Sequence, residues 1–275
     1  MAIQSISTYL NQLKNFKRDK DFEYFFRGHN DKSFKLTPSV YRQGLIRYED
    51  KFYKEIISRA PNDFSSDNKT IEKLVKMQHY GLPTRLLDIT SNPLVALYFA
   101  CKGESKGDGE VIMFKIPKNE IKFYDSDTVT ILANIAKRPF NLSVEGLEIF
   151  NITDFNVKEP VTKLLHEIRD DKPHFLPIID CKDLSRVLAV KVKLNNSRIV
   201  KQGGAFLLYG FDGKKANPAR IHDSWIISKP NFDFIISSSD KDKIIDELDT
   251  LGINEGTLFP ELDKQSEYLK KLYQQ

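Results

Sequence analysis

The sequence predicts an α+β fold, with a helical N-terminal third packed on a mixed or antiparallel sheet. Three observations lead there. Helical spacing dominates the first third, alternating strand-like segments dominate the later part, and the two do not take turns as a doubly wound parallel sheet requires. No repeat, linker or low-complexity run divides the 275 residues, so one domain over 1–275 is expected, with its core at about 22–270.

Ile6, Leu10 and Leu13 recur at helical spacing and predict a first helix. Glu23 to Gly28, EYFFRG, reads as a short aromatic strand ending in glycine. Leu45 to Ala60 predicts an amphipathic helix with Leu45, Ile46, Phe52, Ile56 and Ile57 on its apolar side; Pro61 stops it, and PNDFSSDN reads as a loop. Thr70 to Tyr80 is a further helix carrying Ile71, Leu74, Val75 and Gln78. Gly81 and Pro83 turn the chain, and a short apolar piece, Leu86-Leu87, ends in Asp88. Asn92-Pro93 then opens a helix, with Asn as N-cap and Pro at the first helical position. That helix, Leu94 to Cys101, is apolar nearly all round and so is expected to be buried on most faces.

GESKGDG is a polar loop, Glu110 to Ile116 a strand, and Ser126 to Lys137 a helix capped by Ser126. Residues 138–158 read as short irregular pieces, and Glu159 to Arg169 as a helix. Val187 to Leu194 is the clearest strand, because it alternates from Ala189 onward. Lys201 to Gly210 is a second strand entered through Gly203-Gly204, and Ser224 to Ser228 and Asp233 to Ser237 are shorter ones. Lys241 to Leu251 is a helix closed by Gly252, and Thr257 to Tyr273 the last amphipathic helix.

Composition bounds the function only loosely. A net charge of +4, from 42 basic and 38 acidic residues, does not demand a nucleic-acid partner. The basic runs KNFKRDK and DGKKANPAR read as solvated faces. No apolar run reaches membrane-spanning length, and the N-terminus lacks the basic-then-apolar order of a signal peptide. Cys101 and Cys181 stand far apart without metal-like spacing and read as core thiols, which fits a reducing cytoplasm. GxGxxG after a strand, GxxxxGK[ST], HExxH and GxSxG are all missing, and the five histidines show no ligand spacing, so no metal is expected.

The densest chemistry lies just ahead of the apolar helix, where His79, Tyr80, Thr84, Arg85, Asp88, Thr90 and Ser91 crowd together. Polar groups beside a buried element are costly unless they pair with each other or with a ligand. The stretch reads either as a self-satisfied turn, with Arg85 and Asp88 as an ion pair, or as a binding site.

Three motifs and the chain's ending carry a resemblance. FRG at Phe26–Gly28, HYGLPTRLLDITSNPLVALYFA, QGGAF at Gln202–Phe206 and LGINEGTLFPELDKQSEYL resemble the FRG-domain family, named for its aromatic-Arg-Gly motif, from about Tyr24 to Leu269. The layout also resembles that of ADP-ribosyltransferases, whose three functional strands present an Arg or His, a Ser/Thr-rich stretch before an Ala- and aromatic-rich helix, and a Glu or its replacement. That resemblance implies an ADP-ribosyltransferase-like fold and NAD as co-substrate. It implies a toxin-like or anti-phage effector that modifies RNA or another intracellular target, with a possible antitoxin partner. It assigns Arg27, Asp88 and Gln202 to catalysis. The NAD-binding set would be Arg27, Gly28, His79, Tyr80, Thr84, Arg85, Thr90, Ser91 and Tyr98.

A guanidinium forks two hydrogen bonds toward pyrophosphate or ribose oxygens. Gly28 would admit the nicotinamide amide to the backbone. Thr90 and Ser91 would hold the ribose, and Tyr80 or Tyr98 would stack on the nicotinamide ring. Each role has a plainer rival. Arg27 or Arg85 would simply pair with Asp88, His79 would bond backbone in its turn, Gln202 would bridge strands, and Tyr98 would fill the core.

The departure from the pattern is Gln202, because an amide is neither a base nor a full negative charge. Either Gln202 orients the acceptor while Asp88 supplies charge, or transfer is lost and the chain is a non-catalytic nucleotide- or ADP-ribose-binding module. A nuclease is a third reading, disfavoured by the lack of a clustered acidic metal site.

Overall fold

Alternation between two faces of burial builds one curled mixed sheet. The computed structural model describes residues 3–227 and 234–274. The strands are β1 (Phe22–His29), β2 (Leu86–Thr90), β3 (Gly109–Pro117), β4 (Ile121–Phe123), β5 (Val187–Lys191), β6 (Gly204–Tyr209), β7 (Ile226–Ile227) and β8 (Ile235–Ile236). They run in the order β4-β5-β6-β2-β1-β3-β7, with β8 also against β3. β4 and β5 are parallel, and the other pairs are antiparallel. The fold class is therefore α+β, as the sequence predicts.

The helices are α1 (Ile6–Lys14), α2 (Glu49–Arg59), α3 (Pro61–Phe64), α4 (Thr70–His79), α5 (Pro93–Cys101), α6 (Asp127–Asn134), α7 (Ile152–Asn156), α8 (Glu159–Asp171), α9 (Cys181–Leu184), α10 (Ser197–Gln202), α11 (Lys241–Thr250), α12 (Glu255–Leu258) and α13 (Leu262–Tyr273). Local signals account for the best of them. Asn92 Oδ1 accepts from the Leu94 N–H at 3.0 Å, and Pro93 occupies the first turn of α5. Ser5 caps α1 in a reciprocal box with Thr8.

Strand alternation sorts the side chains. Phe25, Leu87, Ile89, Phe114, Leu207 and Trp225 close one face of the sheet. On the other face the helices gather into two separate clusters. Leu74 of α4, Leu132 of α6 and Leu164 of α8 pack on Leu188, Phe206 and Leu208. Tyr9 of α1, Leu97 of α5 and Ile244 of α11 pack on Phe26 and Met113. Each fully buried side chain of this size contributes roughly 1.5–3 kcal/mol. The seam between the clusters falls between β2 and β1. These two strands are in register at a single pair, Phe26 with Thr90, whereas β1 and β3 pair from Phe22 to His29.

Several boundaries differ from expectation. The helix expected over Leu45 to Ala60 starts at Glu49, because Gln43 and Gly44 take left-handed conformations (φ 51° and 74°) and break the 3-10 turns before it. Tyr53, rather than Phe52, is its buried aromatic. The PNDFSSDN loop opens with α3, with Pro61 at its start, and residues 138–158 include α7. β4 and α9 were not expected. The strand expected over Lys201 to Gly210 is half helix: Asn196 caps α10, Gly203 ends it at φ 57°, and β6 begins only at Gly204. Val187 to Leu194 stays extended as β5 only to Lys191. The last helix is two, α12 and α13, with Pro260 between them. Ser228 and Asp233, ends of two expected strands, lie outside the described residues. Cys101 is buried, which pushes its thiol up to about 12, and Cys181 is half-buried.

Gly28 has a packing reason. A Cβ there would lie 2.0 Å from the Ala96 carbonyl oxygen and 2.5 Å from the Ala100 nitrogen, both in the backbone of α5. The glycine lets α5 lie directly on β1, and the same is true of Gly109 on β3, where a Cβ would meet the Ala100 oxygen at 2.2 Å. Gly28→Ala is therefore expected to destabilise the fold by about 1–3 kcal/mol or more, read from the urea midpoint, since helix backbone cannot yield as a side chain would. An unchanged midpoint would refute this packing.

Candidate functional site

Where β1 and β2 part, a cleft of about 360 Å³ opens between α4 and α10 on one side and α5 on the other. Its lining includes Arg27, His29, Arg42, Lys102 and Arg198, with His79, Phe34, Phe99 and Gln202, and Asp88 is its sole carboxylate among the described residues. Arg27 stands at the parting of the strands. Its Nη1 donates to the Asp88 carbonyl at 2.7 Å and lies 4.0 Å from Asp88 Oδ2. The guanidinium thus answers a backbone carbonyl at the point where the β1–β2 ladder lapses. Its Nε donates to His29 Nε2 at 3.0 Å. Its Nη2 makes no hydrogen bond among the described residues. Burial holds the Arg27 pKa below the usual guanidinium range; the nearby Asp88 works the other way, and Arg42 adds to the lowering.

His29 is buried, and its Nδ1 lies 3.1 Å from Glu110 Oε1. A carboxylate only accepts, so Nδ1 carries the proton and Nε2 is left to accept from Arg27. Glu110, His29 and Arg27 form one chain that aims the guanidinium along the cleft. Asp88 is anchored from the opposite wall. Gln78 Nε2 donates to Asp88 Oδ2 at 2.7 Å, while the Thr84 hydroxyl donates to Gln78 Oε1. The Asp88 side chain is still 65% exposed, so its charge faces the cleft opening.

The sequence-derived residues divide. Arg27, Gly28, His79, Asp88, Thr90 and Gln202 line the cleft. Gly28 does so with its backbone, since the direction of its missing Cβ is filled by α5 rather than open to a nicotinamide. Thr90 and Ser91 are engaged in structure: Thr90 Oγ1 donates to the Gln202 carbonyl at 2.5 Å, and Ser91 Oγ to that of Gly203 at 3.2 Å. They tie β2 to the α10–β6 turn. Gln202 ends a helix instead of lying on the strand, and its Nε2 donates to the Leu258 carbonyl at 3.1 Å.

Ser91 and four other residues stand outside the cleft lining. Thr84 is buried behind Gln78. Tyr80 is 77% exposed, its ring edge-on to His79 at 4.9 Å and outside the cleft lining. Tyr98 is fully buried in the α5 core, and Phe99 takes the place on the cleft wall expected of it. Arg85 is neither the partner of Asp88 nor at the cleft. It is wholly buried, with Nε and Nη2 forked onto Glu49 at 2.8 and 2.5 Å and Nη1 on the Tyr209 carbonyl. Lys215 Nζ reaches the same carboxylate at 2.9 Å. Burial opposes the charge of Glu49, yet Arg85 and Lys215 hold its carboxyl below the usual range.

The residues that motif reading missed are Gln78, His29, Glu110, Phe34, Arg42, Phe99, Lys102 and Arg198. Only Phe99 sits inside the motif, with Gln78 just before it; the cations come from loops and helix ends that have no local signature. Among the described residues, no group of three or more His, Cys, Asp or Glu is placed to hold a metal, and no helix is long and apolar enough to cross a membrane.

Fold and site together define a mixed α+β protein with a cationic cleft where its sheet splits. Residues 22–109 match the FRG domain, from the first residue of β1 to that of β3, which supports the FRG-domain resemblance. Neither a curated protein nor a solved structure matches the chain.

The Glu110–His29–Arg27 chain has a spectroscopic consequence. Nitrogen chemical shifts of the neutral His29 ring are expected to report the Nδ1–H tautomer. Arg27→Ala is expected to shift the Nε2 resonance by removing its donor. An Nε2–H tautomer would contradict the arrangement.

Proposed function

We propose that this chain is an NAD-dependent ADP-ribosyltransferase, with RNA or another nucleic acid as the acceptor class. The observation that carries the reading is the open edge of Arg27 in a cleft walled by four cationic side chains, Arg27, Arg42, Lys102 and Arg198, and by the rings of Phe34 and Phe99. A dinucleotide brings a pyrophosphate for the guanidinium groups and flat rings for the phenyl groups. The volume is in the range of small-molecule sites.

The motif segments also come from neighbouring strands. β6, entered from Gln202, lies beside β2, and β2 beside β1. In this reading Arg27 binds the pyrophosphate or ribose, and Asp88 supplies negative charge beside the cation that develops as the glycosidic bond to nicotinamide breaks. Gln202 supports the α10–α12 wall. The toxin-like or phage-defence setting and an antitoxin partner rest on the resemblance.

A second reading is favoured by one observation. β6 carries no carboxylate, and the amide of Gln202 is engaged with Leu258. This supports a module that binds NAD or ADP-ribose without turning it over. Calorimetric titration with NAD, paired with an assay for released nicotinamide, separates the two. The transferase reading expects both binding and release. Arg27→Ala is expected to weaken binding about 10- to 150-fold, the equivalent of about 1.5–3 kcal/mol for a charge-assisted hydrogen bond. Binding without release favours the second reading, and absence of binding by the wild-type chain overturns both.

A further inference from the structure

The cleft has a second acid–base element, built from segments far apart in sequence. His79 is the last residue of α4 and lines the cleft. Its Nε2 lies 3.2 Å from Oε1 of Glu261. Glu261 precedes the first residue of α13 but does not cap it: no side-chain cap hydrogen bond forms there. Both of its carboxylate oxygens are shut off from solvent, and neither makes an aligned hydrogen bond among the described residues. The approach to His79 is close in distance but not yet aligned, as catalytic pairs often are before substrate tightens them. A shielded carboxylate with no aligned partner is costly, so its place beside an imidazole on the cleft wall calls for a reason.

We infer that His79, oriented by Glu261, is the general base of this cleft, taking the proton from the hydroxyl or water that attacks the ribose. The inference rests on NAD being the co-substrate and names the group that the reading otherwise lacks. Asp88 is held by Gln78 beside Arg27 in its charge-stabilising place and is not free to swing to the attacking hydroxyl. Gln202 is an amide donating to Leu258. With Glu261 3.2 Å from Nε2, the tautomer that this carboxylate favours carries its proton on Nε2 and leaves the free pair of His79 on Nδ1.

The step balances. The acceptor O–H proton passes to Nδ1, and the oxygen's electron pair forms the bond to ribose C1′. The C1′–N bond breaks with its pair going to the ring nitrogen, and nicotinamide leaves neutral. The imidazolium then returns its proton to solvent.

The groups acting on His79 come from three places. Its own burial favours the neutral ring, Glu261 and Asp263 of the α13 segment favour the cation, and Arg198 of α10 opposes it. The net result is a pKa below the ordinary histidine value, which keeps the ring neutral and basic near pH 7.

The test uses the full chain, NAD as probe and nicotinamide release as readout. The wild-type rate is expected to rise with pH through the His79 pKa. His79→Gln is expected to keep the melting temperature, and to keep NAD affinity within a factor of about three, while losing about 10²-fold or more in kcat together with that rising limb. Glu261→Gln removes a charge that favours the imidazolium. It should lower kcat by a smaller factor, move the limb to lower pH, and move the His79 ring titration seen by proton NMR the same way.

An intact kcat and limb in His79→Gln overturns the inference while leaving the transferase reading standing. So does a His79 titration indifferent to Glu261→Gln, which can be read even if His79→Gln fails to fold. Wild-type protein that releases no nicotinamide overturns both.

Discussion

One hydrogen bond organises the site: the donation from Arg27 Nη1 to the backbone carbonyl of Asp88, 2.7 Å across the parting of β1 and β2. A strand carbonyl that loses its partner in the ladder needs another donor, a side chain or water. By supplying it from a side chain, the fold lets two neighbouring strands separate without leaving that group bare. The parting is the cleft. The same residue then presents its remaining donors to whatever enters, so structural and binding roles fall on one guanidinium. Glu110 and His29 secure it on one side, and Gln78 secures Asp88 on the other.

The split is tolerable because each half of the sheet is held by its own apparatus. β1 is pressed under α5 through Gly28, with the α1 and α11 side chains behind. β2 is locked to β6 over five register pairs. Behind its start, Arg85, Glu49 and Lys215 form a wholly buried cluster of two cations and one anion. Removing one partner from such a cluster typically costs about 3–5 kcal/mol, so it anchors the start of β2 firmly. Thr90 and Ser91 finish the task at the far end by fastening β2 to the α10–β6 turn.

What the sequence made legible follows from the range of each interaction. The cap of α5 at Asn92-Pro93, the helical spacing of α4 and the alternation of β5 are local, and the structure carries them as expected. α10 is six residues long, too short for a period, and the apolar run after Gly203 drew the strand backward over it. The useful signals there were Asn196 and Gly203 themselves, a cap at each end. α5 is apolar on every side, so no moment told Tyr98 from Phe99, and the cleft-facing ring was misjudged. Arg85 and Asp88 are three residues apart, yet Arg85 took a partner from the start of α2. Long-range ion pairing leaves no trace in spacing, and the same holds for His79 with Glu261. The motif supplies part of the cleft wall, and loops and helix ends supply the rest.

The central claim is that the parting of β1 and β2, bridged by Arg27, is a dinucleotide site. A crystal structure of the chain with a non-hydrolysable NAD analogue tests it most directly. The account predicts the analogue in that cleft, with pyrophosphate or ribose oxygens within hydrogen-bond distance of Arg27. An analogue bound elsewhere, or in the cleft without touching Arg27, would contradict it.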